Sequence, residues 1–308
     1  MFREYSDLTV RAPGDVKALT NLTELGAIPN ARLGRLRRAG SLTSSRSDDS
    51  DEIELITSRT GPSPIGDAFL SVVTTILNSR SGPRLNRHRR DQPQLMVVSS
   101  ANAMEGKTTV ASNLAIALSQ TGRRVLLIDA DLRSPRLHKI FNLANHAGLS
   151  SILGHYSEQG DNWKDYVVNT QYPGLQVLPS GPLSHNAARL FHSSQLAHFF
   201  ARCRAEFDTI LIDTPPSLYI TDARVVGQFS DGVILVVRSA STAIGSITAI
   251  RDRFVEDGVP ILGVVLNNWN PEMSPNGYYG DLSRDPSWLR YYTALNSEET
   301  VKDERRFV

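Results

Sequence analysis

Lys107 and Thr108 close an octet, Ala101-Asn102-Ala103-Met104-Glu105-Gly106-Lys107-Thr108, that follows the apolar run Leu95-Met-Val-Val98. An apolar strand entering a loop of the form Ala-x-x-x-x-Gly-Lys-Thr, with a helix behind it, has the spacing of a phosphate-binding P-loop in which Ala101 replaces the first glycine. The chemistry explains the residue types. Backbone N–H groups at a helix N-terminus cradle phosphate oxygens. Gly106 lets the main chain come close, Lys107 reaches the outer phosphates, and the Thr108 hydroxyl ligates magnesium. The octet and Thr109 are therefore expected to bind ATP. Met104 stands where such loops often carry glycine, and a side chain there restricts the loop.

Three carboxylates follow on two further apolar runs. Val125-Leu-Leu-Ile leads into Asp129, Asp131 and Arg133, and Thr209-Ile-Leu-Ile leads into Asp213 and then Thr-Pro-Pro, a rigid turn. Residues i and i+2 share one face of a strand, so Asp129 and Asp131 can face one metal ion and one incoming group. Carboxylates that close repel unless a cation or a donor separates them. Magnesium would serve, held by Thr108, Asp131 and Asp213, the last through water. The competing role for Asp129 or Asp131 is to cap the helix near Arg133. Lys107, Asp129, Asp131 and Arg133 are the catalytic set expected for an ATP-driven phosphoryl transfer.

For these groups to meet, their strands must share a sheet. Strands are expected at 95–99, 125–128, 175–178, 209–212, 232–237 and 261–266, with helical stretches between them. Such alternation predicts an α/β fold of the P-loop NTPase type, a mostly parallel sheet with helices on both faces. Ligands bind at the carboxyl ends of such strands, where all three motifs fall. Ala111, Leu114, Ala115 and Leu118 predict an amphipathic helix behind the loop, and Ile65, Phe69, Val72, Val73 and Ile76 predict another over 62–78. The chain is expected to divide into a polar, partly disordered segment (1–61), a helix and basic linker (62–94), the P-loop domain (95–270) and a mobile tail (271–308). The tail bears Tyr278, Tyr279, Tyr291 and Tyr292. A formal charge of +1 gives no overall field favouring nucleic acid. The single cysteine, Cys203, excludes an intrachain disulfide and fits a reducing cytoplasm. No run of 18 apolar residues predicts a membrane span.

These motifs resemble those of the bacterial tyrosine kinases of capsule and exopolysaccharide export. That family has a P-loop, an apolar run ending in Asp-x-Asp-x-Arg, a strand ending in Asp and a tyrosine-bearing tail. The matching residues are Ala101 to Thr108, Val125 to Arg133, Ile210 to Asp213 and the tail. Further likeness lies in Gly148-Leu-Ser150, Val177 to Pro182, Asp213 to Pro216 and Gly263 to Asn267. Upstream, Thr9 to Val16 and Leu25 to Pro29 resemble the stretch joining a membrane-spanning chain-length regulator to its cytoplasmic kinase. The resemblance implies an autophosphorylating, ATP- and magnesium-dependent protein-tyrosine kinase that regulates polysaccharide synthesis and export. Asp129 would touch the acceptor hydroxyl as general base, and Asp131 and Asp213 would flank magnesium. Arg133 would contact phosphate or a neighbouring subunit, and Asn267 adenine. Tyr278, Tyr279, Tyr291 and Tyr292 would accept phosphate. It also implies a membrane chain-length regulator as activating partner, and a place at the inner face of the cell membrane through that partner. Three departures stand out, one being that the four tail tyrosines form two separated pairs in place of one dense cluster. Ala103-Met104 replaces the usual Pro-Gly, and Asp67, Leu70 and Val73 replace the Glu-x-x-Arg-x-x-Arg used for ring assembly, which predicts weaker association between copies. The rival readings are a nucleotide switch of the Min and Par class, which carries lysine at the position of Asn102, and a degenerate ATP-binding scaffold of the exporter.

Overall fold

The computed structural model describes residues 9–30, 55, 63–79, 93–154, 163–183 and 186–270. The four tail tyrosines and nearly all of the basic linker lie outside them. In chain order the strands are β1 (Glu24–Pro29), β2 (Gln94–Ser100), β3 (Val125–Asp129), β4 (Val168–Asn169), β5 (Leu175–Leu178), β6 (Thr209–Asp213), β7 (Gly232–Arg238) and β8 (Ile261–Trp269). They form one sheet in the order β1-β8-β7-β2-β6-β3-β5-β4. Every pairing is parallel except that of β4 with β5.

A parallel sheet covered on both faces needs strands that are apolar on both sides, and β2 has this property. Leu95 and Val97 pack with Phe199, Phe200 and Phe254 on one face, while Met96 and Val98 pack with Val110 and Leu114 on the other. Cys203 is buried among the first group. The helix behind the P-loop, α3 (Lys107–Gln120), differs from its expected amphipathic character, since it is buried on every side from Val110 to Ser119. The cause is α2 (Pro64–Ser79), whose Phe69, Val72, Val73 and Ile76 cover the outer face of α3 in the same cluster. Val110, Ile116 and Ala117, outside the expected apolar stripe, are buried in that cluster.

The sheet is also wider than the six expected strands. Residues 9–30 lie within the region expected to be polar and partly disordered, yet they form α1 (Asp15–Thr20) and β1, which pairs with β8. The β1 run Leu-Gly-Ala-Ile is short, and its partner lies at the far end of the domain, so local periodicity does not reveal it. Gly26 permits the close approach of α2: a Cβ there would sit 2.7 Å from Val72 Cγ2. Among the described residues no helix is long and apolar enough to cross a membrane.

Candidate active site

The three strands that carry the chemistry are neighbours. β2 runs between β7 and β6, and β3 lies on the other side of β6. In register, Val98 pairs with Asp213, and Asp213 with Asp129. The sheet thus sets the P-loop, Asp213 and Asp129 side by side at the carboxyl ends of adjacent strands.

The P-loop turns into α3 at Gly106, which has φ +90°. Its left-handed conformation favours glycine, and a Cβ there would lie 2.1 Å from Asn267 Nδ2 and displace that amide. Asn267 Nδ2 donates to the Glu105 carbonyl at 3.0 Å. Its amide thus braces the loop from the end of β8. Met104 adopts φ +64° and is 85% exposed. The loop accepts the left-handed conformation expected of glycine and points the side chain to solvent, and Arg238 Nη1 donates to the Met104 carbonyl at 2.9 Å. Glu105 is turned inward and buried. It accepts from Asn102 N and Asn102 Nδ2, both at 3.1 Å, and from Thr242 Oγ1 at 2.7 Å. Burial raises its pKa, and the Thr242 and Asn102 hydrogen bonds oppose that rise. Thr242 and Arg238 were not visible as loop supports in the sequence, because the Glu105–Thr242 pair is separated by 137 residues.

Lys107 Nζ lies 3.3 Å from Asp131 Oδ2 and 3.5 Å from Thr108 Oγ1. Burial acts to lower the lysine pKa, but Asp213, Asp131 and Asp129 outweigh it and the net shift is upward. Asp129 is fully buried, and burial together with Asp213 and Asp131 pushes its pKa up to about 8. Its Oδ2 accepts from Arg136 N at 3.1 Å and Leu137 N at 3.0 Å, and its Oδ1 from Asp131 N at 3.2 Å. Asp131 Oδ1 accepts from Ser134 N at 2.9 Å. Both aspartates therefore hold the turn that leads into α4 (Leu137–Ile140), the capping role weighed from sequence. Burial likewise pushes Asp213 up to about 6, against the pull of Lys107.

Both Asp213 oxygens are buried, and the groups that favour their charge are Lys107 and the Thr108 hydroxyl. A buried carboxylate is costly unless a cation meets it. Asp213, Asp131 and the Thr108 hydroxyl form an oxygen donor set suited to magnesium, which is usually held by one or two carboxylates with phosphates and waters completing its shell. Among the described residues no group of three or more His, Cys, Asp or Glu is placed to hold a metal ion. Arg133 is placed elsewhere: its Nε and Nη2 donate to Asp222 at 2.9 and 3.2 Å. Asp222 is buried in the first turn of α8 (Asp222–Gly227). It was missed from sequence.

The family model of the AAA domain matches residues 96–256, more than half of the chain. Over 190 residues the chain is 35% identical to the tyrosine-protein kinase YwqD of Bacillus subtilis, covering 61% of this chain and 78% of YwqD. The chain belongs to the bacterial tyrosine-protein kinases. The kinase is also 34% identical over 175 residues to the tyrosine-protein kinase ptk of Acinetobacter johnsonii, 56% of this chain but only 23% of ptk. Its fold is similar to the crystal structure of the chimerical protein CapA2B2, with a TM-score of 0.70 at 29% identity, covering 84% of this chain and all of that one. These likenesses support the kinase over the Min and Par reading.

Proposed function

We propose that this kinase transfers the γ-phosphoryl group of magnesium-bound ATP to tyrosines of its own chain and thereby regulates polysaccharide synthesis and export. The observation that carries the reading is the ion pair of Lys107 with Asp131 beside the buried Asp213 at the strand ends. Residues Ala101 to Thr109 embrace the phosphates through the loop backbone and the start of α3. Lys107 moves from Asp131 to the outer phosphates. Thr108, Asp131 and Asp213 hold magnesium, which neutralises phosphate charge when bound. Asp129 takes the acceptor hydroxyl proton; its raised pKa makes it a stronger base than an ordinary carboxylate. Arg133 acts through Asp222, fixing the turn after Asp131 against α8. Asn267 acts on the nucleotide through its brace on the P-loop.

The tail residues Tyr278, Tyr279, Tyr291 and Tyr292 are the proposed acceptors, and a membrane chain-length regulator is the proposed activating partner, holding the kinase at the inner face of the membrane. The likeness of Thr9 to Val16 and Leu25 to Pro29 to the regulator–kinase junction supports that partner. Binding of ATP measured by calorimetry with and without magnesium, followed by mapping of phosphotyrosine, tests the reading. Magnesium-dependent binding and phosphate within 278–292 are expected. Magnesium-independent binding, or phosphate confined to other residues, contradicts the assigned metal site or the assigned tail respectively.

A further inference from the structure

The sheet places one tyrosine outside the tail at the mouth of the nucleotide site. Tyr219 follows Asp213-Thr-Pro-Pro-Ser-Leu in the loop from β6 to α8, and it is 87% exposed. The backbone around it is fixed. On one side Ser217 N donates to the Ser100 carbonyl at 2.8 Å, and Leu218 N to the Ala101 carbonyl at 3.2 Å, so the loop is stitched to the first residue of the P-loop. Arg253 Nη1 donates to the Leu218 carbonyl. On the other side the Thr221 carbonyl accepts from Arg224 N and Val225 N as α8 begins, and Asp222 is clamped by Arg133. The other two described tyrosines are unlike it. Tyr166 is packed against the core, and Tyr172 is half-buried at the amino end of β5, away from the P-loop end of the sheet.

We propose that Tyr219 is a phosphoacceptor of this kinase, modified by a second copy of the chain. The proposal rests on the kinase reading above. The Tyr219 ring stands in solvent on a loop held on both sides, which presents it to the site of another copy. In the reaction the Tyr219 Oη forms a bond to the γ-phosphorus of ATP held by the second copy. The bond from that phosphorus to the ADP oxygen breaks, and the phenolic proton passes to the Asp129 carboxylate of the donor site. The product carries roughly two negative charges at the rim of a site that must admit the anionic nucleotide. Phosphorylation of Tyr219 therefore weakens nucleotide binding by its own chain and limits further transfer.

A mixing experiment tests this. Isotopically labelled Lys107→Met chain, unable to act on itself, is incubated with unlabelled parent chain and magnesium-ATP, and phosphopeptides of both are mapped. Phosphate on Tyr219 of the labelled chain is expected, with loss of that phosphopeptide alone in a labelled Lys107→Met/Tyr219→Phe chain. Phosphotyrosine at other positions with Tyr219 unmodified overturns the proposal while leaving the kinase reading intact. Phosphate on Tyr219 of the parent only overturns transfer between copies. Absence of phosphotyrosine from both chains overturns the kinase reading and the proposal together.

Discussion

At the scale of the residue, the three aspartates are distinguished by their surroundings. Asp129 is buried against backbone donors, Asp131 pairs with Lys107, and Asp213 is buried facing the Lys107 charge and the Thr108 hydroxyl. Asp129→Asn should therefore cut phosphorylation by about two to four orders of magnitude, the usual worth of a general base, while nucleotide affinity holds. Asp131→Asn and Asp213→Asn should instead weaken the magnesium dependence of binding; equal effects from all three would contradict this division. A pH dependence follows from the same environments. With folded pKa values of about 8 for Asp129 and about 6 for Asp213, both raised above the ordinary value of 3.8, the native state holds protons that the unfolded chain has released. Their contribution thus makes the metal-free protein lose stability as pH rises from about 4 to about 8. His138, whose pKa is lowered by burial, acts in the opposite sense below its ordinary value of 6.5 and adds nothing above it. Melting temperatures between pH 6.5 and 8.5 should therefore fall without metal, and magnesium with ADP should flatten the slope. A metal-free melting temperature that rises across this interval would contradict the assigned burial of Asp129.

At the scale of the element, the P-loop is supported from β7 and β8 as well as by its own helix. Thr242→Val removes the hydroxyl that donates to Glu105 and leaves a buried carboxylate oxygen short of a partner. A loss of about 1–3 kcal/mol in stability is expected, with weaker ADP binding, measured by denaturant melts and calorimetry. Gly106→Ala should fold yet lose nucleotide binding, since its Cβ meets the Asn267 amide; ordinary affinity in that variant would contradict the loop geometry. These supports mark the limit of what the sequence made legible. The P-loop octet and the Asp129–Asp131 pair are contiguous, so their spacing carries the chemistry directly. Thr242 lies 137 residues from Glu105, and Asp222 lies 89 residues from Arg133, and no local pattern joins such partners. β1 was missed for the same reason, being a short run that becomes a strand only beside β8. The full burial of α3 depends on α2 lying across it, which periodicity within α3 alone does not report.

At the scale of the whole molecule, the described residues form one mostly parallel sheet whose carboxyl end gathers Lys107, Asp129, Asp131 and Asp213. The residues aligned with the family's ring-forming arginines sit on α2, where Leu70 is 38% exposed and Val73 is only 2% exposed. An apolar side chain packed in the core offers a neighbour no ion pair, so the purified chain is expected to be monomeric at micromolar concentration by light scattering, and a stable ring would contradict that expectation. The central claim, that Lys107 and the three aspartates form a tyrosine-kinase centre, is tested most directly by incubating parent and Lys107→Met chains with magnesium-ATP and measuring phosphotyrosine by mass spectrometry. Phosphotyrosine on the parent and none on a variant with an unchanged circular dichroism spectrum is the predicted result. Equal phosphotyrosine on both chains, or none on a parent that binds ATP, would contradict it.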